Sequence, residues 1–154
     1  MQRVCLAILR FCLAAWVGIA VFFVMVVVDL RRSDLFLEQT KFDHPKVLFP
    51  LYYEFELATI GPALACAVVG LWNRRVGRVR KCALLLLVFF AAALALWDYA
   101  MNYRDLLEIM NGSLPLPPTF HALHHLSRRL NEAIVVAIAA AAVLALIPEK
   151  PPQA

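Results

Sequence analysis

The chain lacks the compact signatures by which soluble enzymes and metalloproteins are read. It has no CxxC pair, no His-Glu-x-x-His helix, no glycine-rich nucleotide loop and no nucleophile elbow. It has no internal repeat and no low-complexity tract. Each absence removes the chemistry that the missing spacing would have served. The four cysteines, Cys5, Cys12, Cys66 and Cys82, lie in or at the edges of apolar runs. They read as small buried hydrophobes, with disulfides or a metal site as the alternative. Charged residues are only 17% of the chain. They stand between apolar runs rather than along one soluble face, so the net charge of +4 points to membrane topology and not to nucleic acid.

What is present is apolar. Hydrophobic residues are 63% of the 154 residues and the mean hydropathy is +0.75, whereas soluble domains are roughly 45–50% apolar. A soluble domain of this size buries only about 70% of its surface, so a bilayer is the solvent that fits. The length suits one domain, residues 1–154. Spanning helices need about 20 mostly apolar residues. Four segments qualify, at about 4–28, 51–72, 82–101 and 130–147. The expected fold class is therefore all-α, an integral membrane four-helix bundle. The first run is too long for a secretory signal core of about 7–15 residues, so it reads as a retained helix.

Local signals refine these spans. Pro62 follows Gly61 in the second and predicts a kink. Gly112 and the segment Leu114-Pro-Leu-Pro-Pro-Thr119 predict a loop. Thr119 is placed to cap a short amphipathic extension over about 119–129 that precedes the fourth span. Pro148 ends that span, and Pro151-Pro152 predict an unstructured tail. Gly61, Ala63, Ala65, Gly70, Ala91 to Ala93 and Ala139 to Ala142 offer small surfaces for close helix approach.

Orientation follows from Lys and Arg in short loops. Arg74, Arg75, Arg78, Arg80 and Lys81 fall within ten residues between spans two and three. That loop is expected in the cytoplasm, with both termini beside it. Including Arg3 and Lys150, the inner side carries seven basic residues; Arg31, Arg32, Lys41, Lys46, Arg104, Arg128 and Arg129 give the outer loops seven as well, over a longer stretch. Trp72 at the inner surface and Trp97, Tyr99 and Tyr103 at the outer one are expected interfacial anchors. The expected location is a bacterial inner membrane, with the lipid bilayer and either a protein partner or a second copy as neighbours.

The informative residues are those that a bilayer penalises. An ionisable side chain at its centre costs at least about 2.5–3.5 kcal/mol. Glu54 and Glu56 open span two, Asp98 closes span three, and Asn131 and Glu132 open span four. Antiparallel spans bring all of them to one face, together with His121, His124 and His125. His124, Ser127 or Arg128, and Asn131 share one helical face; His121, His125, Arg128 and Glu132 form the next. One reading is a polar cavity for a ligand, haem or metal. The plainer reading has the acids reaching headgroups or pairing with Arg31, Arg32, Arg104 or Arg128. A histidine pair at i and i+4 with a carboxylate, here His121, His125 and Glu132, can hold a metal. Arg10, two turns into the first span, is expected to reach the headgroups or to bind an anionic group.

Two segments carry a resemblance. They are Lys46-Val-Leu-Phe49-Pro50-Leu-Tyr52-Tyr53 and Phe120-His-Ala-Leu-His124-His-Leu126-Ser127-Arg-Arg-Leu-Asn131. In order and spacing they resemble the family typified by transmembrane protein 205, whose pattern falls on Phe49, Pro50, Tyr53, Phe120, His124, Leu126, Ser127 and Asn131. The chain departs from it with Asp98 where Asn is common and Arg104 where Pro is. Glu54, Glu56 and Glu132 lie outside the pattern. The family is distantly similar to CopD-type copper-resistance proteins and HemJ-type protoporphyrinogen oxidases. The resemblance therefore implies a four-helix membrane protein for which a haem or transition-metal role is conceivable. No catalytic residue is assigned. The candidate ligand or cofactor residues are His124, Ser127, Asn131, Tyr53, Asp98 and Glu54, with His124 as the haem or metal ligand, held by Ser127 or Asn131. The first expectation is a membrane protein with a small-ligand or partner-binding site. The alternatives are a haem- or metal-binding redox or transport protein, and an accessory subunit of a larger membrane complex.

Overall fold

A computed structural model describes residues 2–72, 76–112 and 117–148. Arg74 and Arg75 of the basic loop, residues 114–116, Lys150 and the Pro151-Pro152 tail lie outside the described residues, as does the side chain of Arg3. Among the described residues the chain is all helical. Helix α1 spans Gln2–Arg32, α2 Glu38–Gly70, α3 Arg78–Asp98, α4 Arg104–Asn111 and α5 Pro118–Leu146. A five-residue π turn, Tyr99–Tyr103, joins α3 to α4. Four continuous helices, counting α3 through α4 as one, are long and apolar enough to cross a membrane. The protein is an integral membrane four-helix bundle.

Each helix runs further than its apolar core. Helix α2 begins at Glu38 rather than near Leu51, because i,i+3 pairs carry it through a polar stretch. Lys41 bonds Glu38 at 2.9 Å and Lys46 bonds Asp43 at 2.8 Å. It passes Pro45, Pro50 and Pro62 without interruption. Helix α5 is one rod that takes in the expected amphipathic extension. Pro118 occupies its first turn, where a missing N–H costs nothing. Thr119 is therefore inside the helix and is not its cap.

The helices form a closed ring in which α1 packs on α2, α2 on α3, α3 on α5 and α5 on α1. Trp16 and Leu13 of α1, Val88 of α3, and Ile134 and Ile138 of α5 are among the most deeply buried side chains. The small-residue seams are built by alanines at spacing four. Ala91 and Ala95 of α3, and Ala137, Ala141 and Ala145 of α5, are buried. Gly61 and Gly70, by contrast, have open space where a Cβ would sit. Close approach falls to alanine because the glycines sit off the seam. The outer faces are large and apolar, as with Phe11, Phe22, Phe89 and Val136, which suits lipid contact.

The basic end is held by cations on helix C-termini, whose last carbonyls lack intrahelical partners. Arg10 Nε donates to Ala145 O at 2.8 Å, Arg80 Nη2 to the same oxygen at 3.2 Å, and Lys81 Nζ to Leu71 O at 2.6 Å. Arg10 thus closes the end of α5 instead of reaching for headgroups. All four cysteines are free, and Cys82 is exposed rather than buried.

Candidate ligand site

At the opposite end the polar residues converge on Asp98, which is fully buried. Four side chains from three elements donate to its carboxylate. Tyr53 Oη of α2 lies 2.6 Å from Oδ2, and Ser127 Oγ and Asn131 Nδ2 of α5 each lie 2.9 Å from the same atom. Asn102 Nδ2, in the π turn, donates to Oδ1 at 3.0 Å. An ionised carboxylate only accepts, and every partner here donates.

The donors are themselves fixed. Asn131 spends its second N–H on Ser127 O at 3.0 Å, and its Oδ1 accepts from Tyr52 Oη at 3.0 Å. Tyr53 and Ser127 stand 3.3 Å apart, but each hydroxyl has one proton and each already points to Asp98. No Lys, Arg or His takes part. Among the described residues, Glu54, Glu56 and Asp98 form no ion pair with an arginine; Arg128 pairs instead with Glu132 at 2.9 Å, on the exposed surface.

The π turn makes this geometry. Its i→i+5 bonding widens one turn, so Asn102 and Tyr103 both return to the inner face below Asp98, and both are buried. The Tyr103 ring packs against Tyr53 in a tilted arrangement with ring centroids 4.2 Å apart. It is therefore part of the site and not the interfacial anchor its position in sequence suggested. Its hydroxyl is buried without a partner among the described residues.

Against this network lies a cavity of about 730 Å³. Its walls are α1 (Ala20, Phe23, Val24, Val27, Val28) and α5, from Phe120 to Val136. Phe49, Tyr52 and Tyr53 of α2, Tyr103, and Leu106 and Met110 of α4 close it. Aliphatic and aromatic groups dominate. The polar atoms come from Tyr52, Tyr53, Tyr103, His124, Ser127, Arg128, Asn131 and Glu132. The His124 ring stacks on Phe120 at 5.7 Å, nearly parallel, and makes no hydrogen bond among the described residues.

Of the residues singled out in the sequence, Tyr53, Asp98, Ser127 and Asn131 come together, and His124 stands beside them on the cavity wall. Ser127 and Asn131 hold Asp98; they do not hold His124. Glu54 is exposed on the outer side of α2. His121, His125 and Glu132 are exposed, and among the described residues no three His, Cys, Asp or Glu side chains gather as a metal site. The sequence reading passed over Tyr52 and Asn102. Asn102 carried a signal, the i,i+4 spacing from Asp98. Comparison with protein-family models, curated proteins and solved structures finds no match.

Proposed function

We propose that this multi-pass membrane protein binds a small amphipathic molecule in the cavity between α1 and α5. The molecule's polar end would meet Tyr103 and His124, and its apolar body would lie along Phe23, Val24, Val27 and Val135. The observation that carries this reading is the pairing of an apolar cavity of about 730 Å³ with the buried Tyr103 hydroxyl, which has no partner among the described residues. Ligand pockets of roughly 300–1,000 Å³ have this character, mostly apolar with a few convergent polar groups. The resemblance to the transmembrane protein 205-like family supports the same place. Six of the eight residues that carry it, Phe49, Tyr53, Phe120, His124, Ser127 and Asn131, line this cavity; Pro50 and Leu126 do not.

The test is native mass spectrometry of protein extracted in mild detergent, followed by release of any retained small molecule. Wild type should keep a defined non-protein mass, and Val135→Trp, which fills the cavity, should lose it while remaining folded. Equal retention by the two proteins refutes the reading.

A haem or metal role is the second reading, favoured by the unengaged His124 ring on the cavity wall. It predicts a Soret band or a stoichiometric metal, lost in His124→Ala; colourless, metal-free protein from cells grown with haem precursor and metal removes it. In the proposed orientation the polar end faces away from the cytoplasm of a bacterial inner membrane. The Lys and Arg cluster between α2 and α3 supports that direction.

A further inference from the structure

Among the described residues Glu56 is the one buried acid that the ligand site leaves unused. It sits one helical turn deeper than Tyr52 and Tyr53 on the same inner face of α2 and is 1% exposed. Both of its carboxyl oxygens are buried without a hydrogen-bond partner among the described residues. It is not among the residues that line the cavity, whereas Tyr52 and Tyr53 are. Asp98 of α3 accepts from Tyr53, three residues before Glu56 on the inner face of α2, so the two carboxyls share the interface between α2 and α3. Among the described residues no Lys, Arg or His side chain bonds to either Glu56 oxygen.

Among the described residues the core therefore encloses two carboxyls and no Lys or Arg side chain. Asp98 is compensated by four neutral donors, but Glu56 has none. A carboxylate left this way is too costly to persist in an apolar interior. Such a residue inside a membrane protein is by default a functional position that needs its partner named. We propose that Glu56, with Asp98 beside it, forms a monovalent-cation site in the bundle core, taking a proton or Na⁺ as the counter-charge the chain does not supply. The inference stands on the Glu56 environment alone and does not require the ligand reading.

The experiment uses the full chain in detergent. Its thermal midpoint is followed as Na⁺ replaces choline at constant ionic strength, and separately as pH is lowered in choline alone. If Na⁺ is the occupant, the wild-type midpoint rises by several degrees with Na⁺. If a proton is, it rises as pH falls and ignores Na⁺. In either case Glu56→Gln, whose amide needs no counter-charge, loses the response. A wild-type midpoint flat in both series, or a Glu56→Gln response equal to wild type, overturns the proposal. Should the variant not fold, wild type alone decides through labelling by dicyclohexylcarbodiimide, which reacts with protonated carboxyls in apolar surroundings. A Glu56 adduct in choline that is suppressed by Na⁺, or by raised pH alone, supports the site and tells the two occupants apart. No adduct at Glu56 in choline at low pH refutes it.

Discussion

Asp98 binds three helical segments through one side chain, and its four donors are not equivalent. Asn131 makes three hydrogen bonds, to Asp98, to Ser127 O and from Tyr52, whereas the Ser127 hydroxyl donates only to Asp98. Asn131→Ala should therefore destabilise the protein more than Ser127→Ala. Leaving a buried polar group unpaired costs about 1–3 kcal/mol, and thermal melts in detergent would rank the two. Asp98→Asn tests the charge. The amide turns one accepting atom into a donor that faces Asn102 or the three donors at Oδ2. A loss of about 1–3 kcal/mol is expected, measured the same way. At this scale Asp98, Ser127 and Asn131 were legible because polar side chains stand out in apolar spans, and Tyr53 was singled out only by the family resemblance. Glu54 and Glu56 were not separable by type. Two residues apart on a helix, they face different sides, and only the packing of α2 decided that Glu56 is inside and Glu54 outside.

Among the elements, α3, the π turn and α4 act as one rod whose inner face is re-phased at Tyr99–Tyr103. The sequence shows an apolar run ending near Met101. It does not show the extra residue per turn, because that distortion is selected by what Asn102 and Tyr103 meet on α2 and α5. The α3–α5 seam gives a contrasting pair of tests. Ala141→Leu forces a larger side chain into a fully buried position and should cost about 1–3 kcal/mol by overpacking. Gly61→Ala meets nothing within 4 Å and should be neutral or stabilise by about 0.4–1 kcal/mol. Equal effects in a paired melt would mean that alanines do not form the seam.

The molecule as a whole is polar at one end of its interior and tied by cations at the other. Arg10, Arg80 and Lys81 close the C-termini of α5 and α2 at the basic end, while the Asp98 network and the cavity occupy the far end. This asymmetry makes topology testable. With the four native cysteines replaced, a cysteine at Gly112 should react with an impermeant thiol reagent added outside, and one at Gly77 should not; the reverse pattern inverts the orientation. The broad lipid-facing surface also permits the accessory-subunit role, for which one stoichiometric protein co-purifying in mild detergent is the expected sign.

The amino-acid sequence alone determined that the chain belongs in a bilayer, that it crosses four times, and that its polar groups gather at one face. Those properties depend on the run length and content of apolar residues, and the bilayer reads them one helix at a time. Tertiary structure decided that Asp98 is the hub, that Glu56 is buried without a hydrogen-bond partner among the described residues, that Tyr103 turns inward, and that His124 faces a cavity instead of being held by Ser127 or Asn131. Each of these depends on the rotational phase of one helix against another. Side-chain packing and a single π turn set that phase, and neither leaves a local mark in the sequence.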